Sequence, residues 1–149
     1  MDYNFPVVRT THPKARPADE TKLGFAKYFT DHMFAMDWDE GLGWHDGRVV
    51  PHEPLLIEPA SCVLHYAQMM FEGMKAYRTA DGEIQIFRPD MNVKRMARTC
   101  ERMCIPELPE DLLVAAVRAV IKEDIDWVPK APGTALYIRP FIFGDEVSF

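Results

Sequence analysis

Two stretches in the second half of the chain place apolar residues at three- and four-residue steps. The first follows Pro89 and the second follows Pro109. Because an α-helix has about 3.6 residues per turn, this spacing puts the apolar side chains of each stretch on one helical face. The two predicted buried faces comprise Val93, Met96, Ala97, Cys100, Met103 and Cys104, and then Leu112, Leu113, Ala116, Val117, Val120 and Ile121. Pro106 and Pro129 are expected to follow the two helix ends.

Shorter segments rich in apolar residues predict strands. They cover residues 29–38, 48–57, 74–78, 83–88 and 135–143. Asp46-Gly47 is interpreted as the hairpin turn between the first two strands, because glycine accepts a positive φ without steric cost. Residues 61–71 fit either a strand or a short helix. Hairpins without strand–helix alternation predict an α+β fold, in which an antiparallel sheet carries two helices on one face.

The first 20 residues differ in composition from the rest of the chain. Pro6, Pro13 and Pro17 stand among polar and charged residues, so residues 1–20 are predicted to form an extended surface arm. Residues 21–149 are predicted to form one domain, since 149 residues with 48% hydrophobic content can bury a core. The sequence remains apolar and strand-like up to Phe149, without the polar tail common at a natural terminus. We therefore expect a truncated chain that lacks a second domain.

Charge and composition argue against several classes of function. With 17 basic and 23 acidic residues the net charge is -6, and no basic patch suited to nucleic acid is present in the sequence. No apolar run approaches the roughly 18 residues that cross a membrane, and a cytoplasmic location is expected. The histidines have no zinc-site spacing, so no metal is expected. The three cysteines are interpreted as small buried hydrophobic residues in a reducing compartment.

Candidate binding groups occur in two places. In the last predicted strand Tyr137 and Arg139 share a face, since alternate side chains of a strand point the same way. That arginine is either a surface guanidinium stacked on aromatic rings or a fork for a carboxylate, and the pattern leaves both open. Glu72-Gly73 is expected to be a turn at which a ligand could approach the backbone. Lys75 is interpreted as solvent-facing, and no catalytic nucleophile or acid–base pair is identified.

Five segments together resemble a known enzyme family in order and spacing. They are Phe25 to Met33, Leu64 to Arg78, Phe87 to Met96, Asp126 to Pro129 and Gly133 to Pro140. The chain resembles the N-terminal part of a branched-chain aminotransferase, a pyridoxal-phosphate enzyme of fold type IV. The resemblance implies the smaller N-terminal domain of such an enzyme, with a lysine and a glutamate of a second domain completing the catalytic site. No catalytic residue is therefore assigned within these 149 residues.

The resemblance also implies roles for individual positions. Arg95, in an Asn-x-x-Arg-Met element, corresponds to the arginine that binds the cofactor phosphate. The implied substrate-pocket residues are Phe25, Phe71, Gly73, Tyr137, Arg139 and Phe149, together with Tyr66, which is expected to reach the site of a partner subunit in a homodimer. The implied reaction transfers an amino group between leucine, isoleucine or valine and 2-oxoglutarate, while the 149-residue chain itself is expected to be inactive.

Two other interpretations remain at this point. A fold-type IV relative, such as an aminodeoxychorismate lyase or a D-amino acid aminotransferase, would use similar residues, although Tyr137-Ile-Arg-Pro140 favours the branched-chain group. A non-catalytic, free-standing module is the alternative from a different class, and it would require the gene to end at residue 149.

Overall fold

The computed structural model describes residues 3–147. In chain order the strands and helices are β1 His32–Asp39, β2 Gly43–Pro51, α1 Cys62–Tyr66, β3 Met69–Phe71, β4 Met74–Arg78, β5 Ile84–Ile86, α2 Pro89–Met103, α3 Glu110–Glu123, β6 Leu136–Ile138 and β7 Phe141–Phe143. Short 3-10 turns lie at Glu20–Lys22 and Ile125–Trp127. Residues 61–71, which fit either a strand or a short helix in the sequence, contain both: the one-turn helix α1 is followed by the strand β3.

Strands β1 and β2 form an antiparallel hairpin whose turn lies at residues 40–42. The prediction of a hairpin turn at Asp46-Gly47 is therefore wrong, because both residues belong to β2. They form a bulge. Ala35 and Asp37 of β1 are two positions apart, whereas their partners in β2, Arg48 and His45, are three positions apart. Asp46 takes a positive φ of 53°, and a Cβ on Gly47 would lie 2.8 Å from the Met36 side chain. The Asp-Gly signal marks the bulge rather than a chain reversal.

The predicted strand over residues 135–143 is two strands in different sheets. Strand β6 pairs with β4 in the order β5-β4-β6, whereas β7 pairs with β3, and all of these pairings are antiparallel. The break falls at Arg139-Pro140, where the Pro140 carbonyl accepts a hydrogen bond from the Glu72 backbone N–H at 2.8 Å. Proline cannot donate to a sheet ladder, so it interrupts a continuous strand. The break brings the Glu72-Gly73 turn against the end of β6.

Helices α2 and α3 cover the buried side of β4. Their inward side chains pack with Met70, Met74 and Ala76 to form the main core. From α2 the buried residues are Val93, Met96 and Cys100, and from α3 they are Leu112, Leu113, Ala116, Val117 and Ile121. The predicted face of α2 extends too far, because Met103 and Cys104 are exposed. The helix ends at Met103, and Cys104 follows it with a left-handed φ of 52°.

Residues 3–19 form an extended segment that lies along the domain surface, the N-terminal arm. It attaches to β2 through two backbone hydrogen bonds: the Val49 N–H donates to the Pro6 carbonyl, and the Val8 N–H donates to the Val49 carbonyl, each at 2.9 Å. Further along, the Thr10 N–H donates to Nε2 of His32 at 3.0 Å. The Nδ1 of His32 meets the buried Asp124 carboxylate at 2.7 Å. The arm therefore contributes a backbone partner to β2 and a polar contact to the end of α3.

The α+β class and the antiparallel pairing of neighbouring strands are confirmed. The strands of residues 3–147 form three small sheets, however, rather than the single sheet that was expected. None of the helices in this range has the length and apolar character needed to cross a membrane. Within the same residues, no group of three or more histidine, cysteine, aspartate or glutamate side chains is arranged to hold a metal ion.

Candidate substrate pocket and anion site

An arginine stacked between two aromatic rings is the centre of the candidate site. The guanidinium carbon of Arg139 lies 4.3 Å from the centroid of the Phe71 ring and 5.1 Å from that of Tyr137. The Nη2 of Arg139 also donates to the Tyr137 hydroxyl at 3.0 Å. Arg139 has no carboxylate partner among the described residues, so most of its N–H donors remain open to an anionic ligand. The interpretation as a guanidinium stacked on aromatic rings is therefore confirmed, and the role as a fork for a carboxylate stays a prediction.

Phe25 reaches this cluster from the segment before β1. Its ring meets the Tyr137 ring edge-on, with the centroids 5.1 Å apart. Gly24 and Ala26 on either side take positive φ values of 66° and 55°. Two left-handed residues around one phenylalanine turn the chain sharply, so that the ring projects out of the segment towards Tyr137. Phe25 is nevertheless 68% exposed and forms a rim of the pocket rather than part of the core.

Gly73 allows the Tyr137 hydroxyl to approach the backbone. A Cβ built on Gly73 would overlap that hydroxyl oxygen and would lie 2.8 Å from the ring carbon that bears it, so no side chain fits there. Tyr137 stands opposite Lys75 across the β4–β6 pairing, so its ring lies over the exposed side of β4. The requirement for glycine at position 73 therefore comes from close packing and not from a positive φ.

The second part of the site is an ion pair beside Gly73. Arg95, in the second turn of α2, donates from Nε to Oε1 of Glu72 at 2.7 Å and from Nη2 to Oε2 at 2.6 Å. Nδ2 of Asn92, one turn earlier, donates to the same Oε2 at 2.6 Å and to the Gly73 carbonyl at 2.9 Å. Burial alone would raise the pKa of Glu72, but the hydrogen bonds from Arg95 and Asn92 outweigh it and lower the pKa. The carboxylate is therefore held in its charged form.

The structure brings together most of the predicted site residues. Phe25, Phe71, Gly73, Tyr137 and Arg139 form one cluster, and Arg95 is connected to it through Glu72. Tyr66 is the last residue of α1 and 62% exposed, and within residues 3–147 it has none of the ring contacts or hydrogen bonds that join the others. Phe149 lies outside the described residues. Lys75 is exposed, as predicted.

Two residues of this network were not assigned a role from the sequence. Glu72 was identified only as part of a turn, and Asn92 only as part of the segment around Arg95. A signal for both was present, because a carboxylate next to a predicted close-approach glycine needs a cation and amide donors if it is to be buried. The sequence alone does not reveal that α2 presents those donors to the turn between β3 and β4.

Comparison with known proteins identifies the family. The chain is 51% identical over 140 residues to "Branched-chain-amino-acid transaminase 1" of Bacillus subtilis, an alignment that covers 94% of this chain and 39% of that protein. The chain belongs to the branched-chain aminotransferase family. A branched-chain aminotransferase of Mycobacterium tuberculosis is 48% identical over 146 residues, with 95% of this chain and 40% of that protein aligned. The chain thus spans about 40% of the length of the curated branched-chain aminotransferases that it matches.

A solved structure supports the same relationship at the level of the fold. The branched-chain amino acid aminotransferase of Escherichia coli superimposes with a TM-score of 0.55 at 29% identity, and the match covers 68% of this chain and 33% of that one. No protein-family profile matches the chain. The α+β domain is therefore of the type found in branched-chain aminotransferases.

The donor set fits one end of a phosphorylated cofactor. Arg95 uses only its Nε edge and one Nη2 hydrogen on Glu72, which leaves Nη1 and the remaining Nη2 hydrogen for a phosphate. All seven lysines of the chain are exposed, and none is enclosed beside Arg95. The described residues are therefore suited to hold a phosphate and a substrate, and they do not themselves supply an enclosed amine.

Proposed function

We propose that this chain forms the substrate-binding domain of a pyridoxal-phosphate-dependent branched-chain aminotransferase. In this reaction the amino group of leucine, isoleucine or valine is transferred to 2-oxoglutarate. The observation that carries the proposal is the Arg139 guanidinium, which lies between Phe71 and Tyr137 and has open donors. One pocket must accept both an aliphatic side chain and the second carboxylate of glutamate. Aromatic walls suit the first, and a fixed guanidinium suits the second.

Each residue of the site has a defined task in this proposal. Phe25 and Phe71 provide apolar surface for the substrate side chain and exclude water from it. Arg139 binds the side-chain carboxylate when the substrate is glutamate or 2-oxoglutarate, and the Tyr137 hydroxyl helps to orient the guanidinium. Arg95 holds the cofactor phosphate. When bound, the cofactor supplies the electron sink that stabilises negative charge at the substrate Cα.

The proposal extends to domain organisation, partners and location. Residues 1–20 act as an arm and residues 21–149 as the smaller domain, while the lysine that receives the cofactor and the acid that faces its pyridine ring come from residues outside this sequence. The complete gene product acts in the cytoplasm as a homodimer, in which Tyr66 enters the partner's site and Phe149 adds an apolar contact. Sedimentation that shows an active monomer would contradict the dimer.

Arg139→Ala in the complete gene product tests the proposed role of this residue. The Michaelis constant for 2-oxoglutarate should rise by roughly 30-fold or more, since a paired charge is lost, while that for leucine should change much less. Arg98→Ala, which removes an exposed arginine of α2, is the matched control and should change neither constant. Equal changes for both substrates would remove the carboxylate role from Arg139.

Other substrates, tested on the complete gene product, separate the alternative functions. Transfer from D-amino acids, or release of pyruvate from aminodeoxychorismate, would indicate another fold-type IV enzyme. A gene product without any lysine-bearing second domain would indicate a non-catalytic module. A purified polypeptide of these 149 residues should show no transamination. After incubation with pyridoxal phosphate and reduction with borohydride, peptide mapping should find no single lysine that is labelled stoichiometrically.

A further inference from the structure

Glu72 is an almost fully enclosed carboxylate on the edge of the candidate site. Its side chain is 6% exposed, and both oxygens accept hydrogen bonds, from Nε and Nη2 of Arg95 and from Nδ2 of Asn92. Its own backbone is fixed as well, because its N–H donates to the Pro140 carbonyl. Burying a charge costs free energy, and the full set of hydrogen bonds that offsets this cost fixes one orientation of the carboxylate.

The bond pattern divides the Arg95 guanidinium into two edges. A guanidinium carries five N–H donors in a rigid plane. The side edge, formed by Nε and one Nη2 hydrogen, is occupied by Glu72. The end edge, formed by Nη1 and the other Nη2 hydrogen, is not used by any described residue. The end edge has the parallel donors that bind a phosphate in bidentate fashion. Both anions can therefore bind the same arginine at once.

Glu72 also lies next to the substrate cluster in the chain. The following residue is Gly73, against whose backbone the Tyr137 hydroxyl packs, and Asn92 bridges the Glu72 carboxylate and the Gly73 carbonyl. A displacement of Glu72 would therefore move the turn on which Tyr137 rests. Arg95 and the Tyr137–Arg139 pair are connected through two consecutive residues of that turn.

We infer that Glu72 is a positioning residue that fixes the Arg95 guanidinium so that its end edge meets the cofactor phosphate. This inference rests on the proposed function, since it requires the cofactor. The carboxylate forms no bond to the phosphate and takes no part in the reaction. It acts by removing the rotational freedom of a long side chain that is otherwise half exposed.

Two physical effects of Glu72 on phosphate binding have opposite signs. Its negative charge offsets the positive charge of Arg95 and repels the phosphate, so its removal should strengthen binding if charge dominates. Its hydrogen bonds orient Arg95 before the phosphate arrives, so its removal should weaken binding if orientation dominates. Because two short bonds hold the guanidinium and its other edge is exposed to screening solvent, orientation is the larger effect. The sign of the change therefore discriminates between the two roles.

Glu72→Gln in the complete gene product, stripped of cofactor, provides the test. The substituted side chain keeps the shape of the original but places an amide group against one Arg95 donor. The dissociation constant of pyridoxal phosphate, measured by absorbance titration, should rise by about tenfold or more. The dissociation constant of pyridoxal, which has no phosphate, should change by less than about twofold. Glu101→Gln, on the exposed side of α2, is the matched control and should leave both constants unchanged.

The possible results lead to distinct conclusions. Unchanged or tighter binding of pyridoxal phosphate to Glu72→Gln would overturn the positioning role, and so would equal weakening for both ligands, which indicates general damage to the fold. If Glu72→Gln does not fold, Asn92→Ala keeps the carboxylate and should give a smaller loss, again confined to the phosphorylated ligand. Equal effects on the two ligands in that variant would also overturn the inference. A wild-type gene product that does not bind pyridoxal phosphate would refute the proposed function itself.

Discussion

At the residue scale, the shape of the site depends on an absent side chain. Gly73 has no Cβ, and the Tyr137 hydroxyl occupies the volume that a Cβ would need. That hydroxyl accepts the hydrogen bond from Arg139, so the glycine controls where the guanidinium lies. The position of one arginine thus depends on a residue with which it shares no bond.

Gly73→Ala is expected to displace the Tyr137 ring and to lower the free energy of unfolding by about 1–3 kcal/mol, as an overpacked site does. Thermal and urea unfolding of the complete gene product would measure the change. Combining it with Tyr137→Phe should recover only part of the loss, because the ring carbon that bears the hydroxyl would still lie 2.8 Å from the new Cβ. Gly144→Ala, which meets the flexible end of Gln68, is the control. Full additivity of the two changes would contradict the proposed clash.

The residue types in the sequence predicted much of the cluster, but they did not predict which residues pair with one another. Phe71, Tyr137 and Arg139 were identified from their motifs, and the structure places them together. The bidentate pair between Glu72 and Arg95 joins residues 23 positions apart. No local pattern specifies such a pair, because it depends on how α2 packs against the turn before β4. Sequence spacing can therefore identify the donors without showing which acceptor they meet.

At the scale of elements, periodicity located both helices and their starts, but α3 ends at Glu123, earlier than the expected end before Pro129, because Asp124 and a 3-10 turn follow it. Periodicity also missed the C-terminal limit of the apolar face of α2. Met96 is 3% exposed and lies in the core, whereas Met103 is 38% exposed. Met103 is the last residue of the helix, and the left-handed Cys104 follows it. The apolar pattern therefore continues in the sequence beyond the part of the helix that packs in the core.

Met96→Ala should therefore destabilise the protein far more than Met103→Ala. The first change leaves a cavity between α2, α3 and β4, with an expected loss of about 2–5 kcal/mol. The second removes surface atoms, with an expected loss below about 1 kcal/mol. Urea unfolding of the two variants under identical conditions gives the comparison. Equal losses would mean that the predicted apolar face does extend to Met103.

A substitution at the end of α2 is expected to raise the free energy of unfolding. Cys104 adopts φ 52° at the helix C-terminus, a conformation that costs a residue with a Cβ about 1 kcal/mol more than glycine. Cys104→Gly is expected to raise the free energy of unfolding by about that amount. Cys104→Ala removes the same thiol but keeps the Cβ, so it should give no such gain. A similar gain for both variants would assign the effect to the sulfur instead.

At the scale of the whole molecule, the arm and the domain are joined by polar contacts from distant parts of the chain. Arg9 forms a bidentate pair with Glu123, with a shortest distance of 2.6 Å, and Arg16 pairs with Asp126 at 3.1 Å. The Asp31 carboxylate accepts from the Lys14 backbone N–H at 2.7 Å and from Nε1 of Trp127 at 2.9 Å. The composition of residues 1–20 predicted an extended arm, but not these partners, since each lies on another element.

These contacts predict a loss of stability in acid. Burial by itself raises the pKa of Asp31, but the hydrogen bonds from Lys14 and Trp127 outweigh it and hold the pKa below the ordinary 3.8. The contribution of Asp31 to stability is therefore complete above pH 3.8 and is lost as the pH falls through the lower folded-state value. Asp31→Asn should cost about 1 kcal/mol at neutral pH and flatten this part of the acid profile. Urea unfolding across the acid range would measure both effects.

Glu53→Gln, which neutralises an exposed carboxylate near the end of β2, is the control for Asp31→Asn. It should leave the acid profile close to that of the unaltered protein. An Asp31→Asn profile as steep as that of the unaltered protein would show that the Lys14 and Trp127 contacts do not contribute to the pH dependence.

The attachment of the arm has a consequence for the order of folding. Three of the side-chain pairs that hold it, Tyr3–Asp111, Arg9–Glu123 and Arg16–Asp126, join residues 108 to 114 positions apart in the chain. On a ribosome the arm is made before β2, whereas the acidic partners of these three pairs lie in α3 or just after it and emerge much later. Closing so long a loop is slow compared with forming a helix or a hairpin. The long-range side-chain pairs of the arm thus form late, whereas its backbone bonds to Val49 can form as soon as β2 has been made.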